Sequence, residues 1–123
     1  MVLIIDTTDK ECMVGVDDGR KFDVKKWRWK KDTGGEILHN IQKLLKKSQK
    51  KLENIDAIFV NQGPGSYTGT RVGITIASTL GWSLNVPVVG YSGKDRREIT
   101  SQILGKLSKN KLSKNHFPTP IYG

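Results

Sequence analysis

The chain has 123 residues, a formal net charge of +9, 36% hydrophobic and 27% charged residues. That length supports one modest core and leaves no room for two lobes. A single cysteine, Cys12, excludes an intrachain disulfide and a thiolate metal cluster, and fits a reducing cytoplasm. The opening residues carry no basic leader before an apolar stretch, so no signal peptide is expected. No run approaches the roughly 20 apolar residues of a membrane span. The positive charge permits contact with RNA or an acidic protein, although dispersed lysines also keep small proteins soluble.

Residues 2–5 are wholly apolar and predict an interior strand. Residues 6–9 turn the chain, and 11–16 predict a second strand with Cys12, Val14 and Val16 on one face. A buried, inert thiol is expected at Cys12. Asp17-Asp18-Gly19 is a hairpin signal. Residues 20–29 predict a third strand with Phe22, Val24 and Lys26 on one side and Trp27 and Trp29 on the other, which suggests a bulge or a frayed end. The three strands should form an antiparallel meander. Trp27-Arg28-Trp29-Lys30-Lys31 interleaves aromatics with cations, a pattern that can stack bases and touch phosphates. The preferred reading is an edge strand whose tryptophans pack beneath a helix.

Residues 34–51 predict an amphipathic helix. Ile37, Ile41, Leu44 and Leu45, with Leu38 beside them, form its apolar face. Lys43, Lys46, Lys47, Lys50 and Lys51 form a solvated basic face. His39 has no second histidine at i+4, so the helix cannot offer an HxxxH zinc pair. Residues 57–60 predict the central strand.

A glycine-rich corner follows, Gly63-Pro64-Gly65-Ser66-Tyr67-Thr68-Gly69. Its glycines allow positive φ or close backbone approach. Ser66 or Thr68 can cap a helix over 70–84. The corner could bind an anion at that helix start, yet it has neither GxxxxGK[ST] nor GxGxxG spacing, and a tight strand-to-helix corner is the preferred reading. In the helix, Val72, Ile76 and Leu80 share a face while Ile74 and Trp82 fall elsewhere, so burial on two sides is expected. Gly73, Ala77 and Gly81 form a row of small residues. It serves either an internal packing groove or a subunit interface. Residues 86–89 predict a parallel strand, and 94–107 a last helix with Ile99, Ile103, Leu104 and Leu107 inward. Residues 108–115 read as a basic linker and 117–123 as an extended tail, giving a domain over 1–107 and a linker with tail over 108–123.

GPGSYTGTRVGITIASTLG resembles the GPGSFTGxRxGxxxAxGLA segment of the TsaB (YeaZ) family. MVLIIDTTDKECMVGV and NVPVVGYS resemble that family's opening strands and its strand after the long helix. The resemblance covers residues 1–92. It implies an α/β ribonuclease-H-like fold, within the sugar-kinase and heat-shock-ATPase superfamily. It also implies a non-catalytic subunit that binds TsaD, the enzyme that transfers threonylcarbamoyl to the adenosine beside the tRNA anticodon (t6A), with a TsaE-type ATPase reached through TsaD. No cofactor or metal is implied. The family's second lobe has no counterpart here, and Pro120-Ile121-Tyr122 faintly resembles the family's closing motif, so an internal loss of that lobe is expected. The histidine that often precedes the first helix is replaced by Thr33, and the paired metal-binding histidines of TsaD are absent.

By this resemblance the expected interface with TsaD, or with a second copy, comprises Ile37, Ile41, Leu45, Tyr67, Thr68, Arg71, Val72, Gly73, Ile76, Ala77, Leu80 and Gly81. Lysines on the rim could touch tRNA. Two alternatives stand beside it. One is a small ATP-binding or peptidase-like enzyme, with Asp6, Gly63, Gly65, Ser66 and Gly69 around a nucleotide. Asp6 more simply caps its own turn. The other is a stand-alone RNA-binding module.

Overall fold

The computed structural model describes residues 1–30 and 33–93. Leu3 to Ile5 are flanked by strands on both sides, which is why the run needs no polar face. This strand, β1 (Val2–Asp6), pairs antiparallel with β2 (Glu11–Asp17), and β2 pairs antiparallel with β3 (Phe22–Arg28). On its other side β1 pairs in parallel with β4 (Ala57–Asn61), and β4 in parallel with β5 (Val88–Tyr91). The five-stranded sheet has the order β3-β2-β1-β4-β5.

The predicted meander is present, and its second turn shows how. Asp18 closes it, with its Oδ1 accepting the Arg20 and Lys21 amides at 2.9 and 2.8 Å, and Gly19 takes φ +90°. Of the bulge or frayed end expected in the third strand, the bulge is absent, and the strand stops at Arg28, one residue before Trp29. β3 pairs residue for residue with β2 from Glu11↔Arg28 to Asp17↔Phe22. Plain alternation explains the pattern: Phe22, Val24 and Lys26 face one way, Asp23, Lys25 and Trp27 the other.

Two helices, α1 (Thr33–Lys47) and α2 (Tyr67–Leu84), pack side by side on one sheet face, α1 over β2 and β3, α2 over β4 and β1. Beneath them lies the main core, which includes Leu3, Ile5, Val14, Val16, Ile37, Ile41, Leu44, Ile58, Val60 and Ala77. Ile4, Phe59, Val89 and Tyr91 form a second apolar cluster on the opposite face. The first helix stops earlier than its hydrophobic period implies. Gln49 adopts φ +57° and the Lys50 amide returns to the Leu45 carbonyl at 2.9 Å, which ends the helix by tying back its last turn. Asn85, at φ +58°, ends α2 in the same left-handed manner.

The predicted helix at 94–107, the linker at 108–115 and the tail at 117–123 lie outside the described residues, and with them the proposed domain boundary.

Candidate functional site

The glycine corner joins β4 to α2 at the C-terminal ends of the parallel strands. Open α/β sheets place their ligand clefts at this end. Here the space is taken by the chain itself. The β1–β2 turn, Thr7-Thr8, lies directly against the corner: the Ser66 amide donates to the Thr8 carbonyl at 2.9 Å, and the Thr7 hydroxyl donates to the Gly69 carbonyl at 2.6 Å. The glycines are what permit this. A Cβ at Gly65 would lie 2.5 Å from the Thr8 carbonyl oxygen, one at Gly69 2.3 Å from the Thr7 carbonyl oxygen, and one at Gly73 2.2 Å from the Thr7 hydroxyl. Ser66, not Thr68, caps α2 by accepting the Gly69 amide at 3.0 Å.

Asp6 points to the other side of this junction. Its Oδ1 accepts the Thr8 amide and hydroxyl at 3.0 and 2.7 Å, and its Oδ2 accepts the Asn61 amide group at 3.1 Å. Oδ1 therefore caps the turn, as the sequence suggested, and Oδ2 ties it to the end of β4. Buried Asn61 is fully engaged. It also donates to the Gly93 carbonyl at 2.8 Å and accepts from the Gly63 amide at 3.0 Å. Sequence reasoning missed Asn61 and Thr7. The signal was present, because Asn61 is a polar residue closing an otherwise apolar strand. Among the described residues no group of three or more His, Cys, Asp and Glu side chains is placed to hold a metal ion.

The residues expected at an interface separate into three sets. Ile37, Ile41 and Leu45 are buried in the chain's own core, and so is Ala77 at 0% exposure. Gly73 and Gly81 are buried against Thr7 and Val88, since a Cβ at Gly81 would lie 2.2 Å from the Val88 side chain. Six members of the expected interface are thus packed within the chain itself. The small row is a close-approach seam between α2 and its own sheet. Val72, Ile76 and Leu80 are only half covered by the core. They lie on the side of α2 toward α1, where Gly34 of α1 approaches the Ile76 side chain, and Leu38 of α1 is itself exposed. Tyr67, Thr68 and Arg71 are exposed on the first turns of α2, where the Arg71 guanidinium stacks 5.3 Å from the Tyr67 ring centroid and donates to its hydroxyl at 2.8 Å.

The second apolar side expected of α2 divides likewise. Ile74 is buried toward the sheet, while Trp82 stands 79% exposed on the outer face. Trp27 of β3 packs against the core, and Trp29, just past the strand, is half-buried beside Gly69. That matches the edge-strand reading. Cys12 is fully buried, and burial first, then the charges of Asp6, Glu36 and Asp9, push its thiol up to about 12. Burial likewise raises the Tyr91 hydroxyl well above its usual range, with the Asp6 charge adding to it.

An antiparallel meander running into two parallel strands, with a carboxylate closing β1 and a glycine corner opening α2, defines a ribonuclease-H-like domain. The fold matches the Thermus thermophilus RuvC structure in complex with a Holliday junction substrate at a TM-score of 0.52, with 16% identity over 97% of this chain and 82% of that one. It matches YeaZ from Pseudomonas aeruginosa more closely, at a TM-score of 0.70 and 26% identity over 74% of this chain and 43% of that one. The family model for TsaD, tRNA N6-adenosine threonylcarbamoyltransferase, matches residues 33–93. The tRNA threonylcarbamoyladenosine biosynthesis protein TsaB of Buchnera aphidicola is 33% identical over 92 residues, 75% of this chain and 44% of the relative. TsaB of Escherichia coli is 32% identical over 91 residues, 74% of this chain and 39% of the relative. The chain is a homologue of the TsaB (YeaZ) family, and it spans less than half the length of these relatives.

Proposed function

We propose that the chain is a non-catalytic scaffold that docks a TsaD-like protein during threonylcarbamoyl modification of the adenosine beside the tRNA anticodon. The observation that carries this reading is the state of the α1–α2 surface. Leu38, Val72, Ile76 and Leu80 are left partly uncovered, and the Tyr67–Arg71 pair is exposed on the first turns of α2. Tyrosine and arginine are the residue types that concentrate binding energy at protein interfaces. Half-covered aliphatic side chains on adjacent helices are completed by helices from another molecule. A second copy of the chain is the alternative occupant of the same surface. A TsaE-like ATPase would enter through the TsaD-like protein. The glycine corner supports a structural role, because Thr7 and Thr8 already fill the faces of Gly65, Gly69 and Gly73.

The test is co-purification of the tagged chain with a TsaD-like protein from the same source, followed by titration of Arg71→Glu and Tyr67→Ala. Both variants should keep the wild-type circular dichroism melt and bind the partner at least about tenfold more weakly, on the scale of one interface hot spot. Failure of the wild-type chain to retain the TsaD-like protein removes the proposal.

A further inference from the structure

We infer that the outer face of α1 binds the phosphate backbone of tRNA. This deepens the scaffold reading and rests on it for the identity of the nucleic acid. Between Glu36 and Glu53 the sequence contains no acidic residue and five lysines. Lys43, Lys46 and Lys47 fall on one side of α1, away from the core-facing Ile37, Ile41 and Leu44, and all three are exposed. No carboxylate among the described residues pairs with them. Three acids of β2, β3 and the turn between them are already engaged: Asp18 takes Lys50 at 3.3 Å, Asp23 takes Lys21 at 3.5 Å together with the Ser48 hydroxyl at 2.8 Å, and Glu11 takes Lys26 at 3.7 Å.

The surface does not stop at the helix. α1 packs over β2 and β3, and β3 is an edge of the sheet. Lys25 lies on the face of β3 that α1 covers and has no carboxylate partner among the described residues. Asp23 on that same strand face is tied to Ser48 just past the end of α1, so the lysine-bearing end of the helix and the edge strand are held side by side. The result is an unneutralised basic surface built from two elements. Like charges at i,i+3 and i,i+4 destabilise an isolated helix. Lys46 and Lys47 are partly excused by the negative end of the helix dipole, but Lys43 and Lys25 are not. A ligand carrying regularly spaced negative charges relieves all four, and a nucleic-acid backbone is such a ligand. An acidic protein surface is the competing occupant, and it would leave a different record in the test.

The experiment uses the full chain and a fluorescein-labelled, unmodified tRNA transcript, with anisotropy read across roughly 50 to 200 mM KCl. Lys43→Gln/Lys47→Gln should weaken binding about tenfold and flatten the salt dependence by up to ~1.8 in log K against log salt, two phosphates' worth. Lys10→Gln/Lys26→Gln removes the same charge elsewhere, Lys26 lying on the face of β3 away from α1 and paired with Glu11, and should leave affinity within about twofold and the slope unchanged, since no phosphate contact is lost. Equal losses in both pairs, or none in either, overturn the inference. So does competition by polyglutamate as effective as by unlabelled tRNA. Binding of the TsaD-like protein is measured on the same variants and should be unaffected. Loss of partner binding in the wild-type chain refutes the scaffold reading and leaves the tRNA measurement standing.

Discussion

Thr7 and Thr8 sit where Gly65, Gly69 and Gly73 close on the β1–β2 turn, and that contact sets what each glycine tolerates. At Gly69 an added methyl meets a backbone carbonyl that is itself fixed by the turn. Gly69→Ala should cost about 3 kcal/mol by overpacking, which outweighs the ~1 kcal/mol that alanine gains in helix propensity. Gly19 has open space around it and only its left-handed φ to defend, so Gly19→Ala should cost about 1 kcal/mol. Urea melts of the two variants check the order. Cys12 gives a second residue-scale prediction. Its native pKa, about 12, lies above that of an unfolded thiol. The stability it contributes is therefore complete below about pH 8.5 and is lost as pH rises from there toward 12, because the unfolded chain ionises first. Native protein at pH 8 should resist a thiol reagent until denaturant is added, and Cys12→Ala should flatten the alkaline fall in stability. Burial at Cys12 was legible from alternation alone. The docking of Thr7 was not, because 62 residues separate it from Gly69.

The helices show where periodicity stops being informative. Period and composition located α1 and α2 within a few residues, since an amphipathic stripe is a property of the local chain. Which apolar row met the sheet was not a local property. Val72, Ile76 and Leu80 read as the greasiest face of α2, yet the glycine–alanine row faces inward and the aliphatic row lies toward α1. Small residues win the sheet because they let β1 and β5 approach the helix axis closely, as Thr7 does at Gly73 and Val88 does at Gly81. Ala77 lies between them, fully buried. Ala77→Trp should therefore remove cooperative unfolding, not only partner binding. A folded Ala77→Trp monomer with a sigmoidal thermal melt would show that the seam is looser than its packing implies.

At the scale of the whole molecule, the junction of β1, β4 and α2 is where the proposed scaffold reading can be tested against a chemical one. Asp6 accepts three hydrogen bonds from Thr8 and Asn61. Asp6→Asn puts an amide nitrogen against the Asn61 amide or against the Thr8 donors, which should cost about 1–3 kcal/mol for the donor left unsatisfied. In a reconstituted threonylcarbamoylation assay with the TsaD-like protein, the variant should lose activity only in proportion to its folded fraction. Abolished turnover in a folded, partner-bound variant would instead place Asp6 in the reaction.

The amino-acid sequence by itself determined the strands, the hairpin, the two helices, a hydroxyl cap at Ser66 or Thr68 and the family resemblance carried by the glycine corner. All of these are set by alternation, period and local turn chemistry. Only the tertiary structure decided which apolar residues the chain keeps for itself. It placed Ile37, Ile41, Leu45 and Ala77 in the core, left Tyr67, Arg71 and Trp82 outside, and closed the glycine corner with Thr7 and Thr8. The reason is that a helix offers every row of side chains equally, and the choice among them is made by close packing against strands far away in the chain.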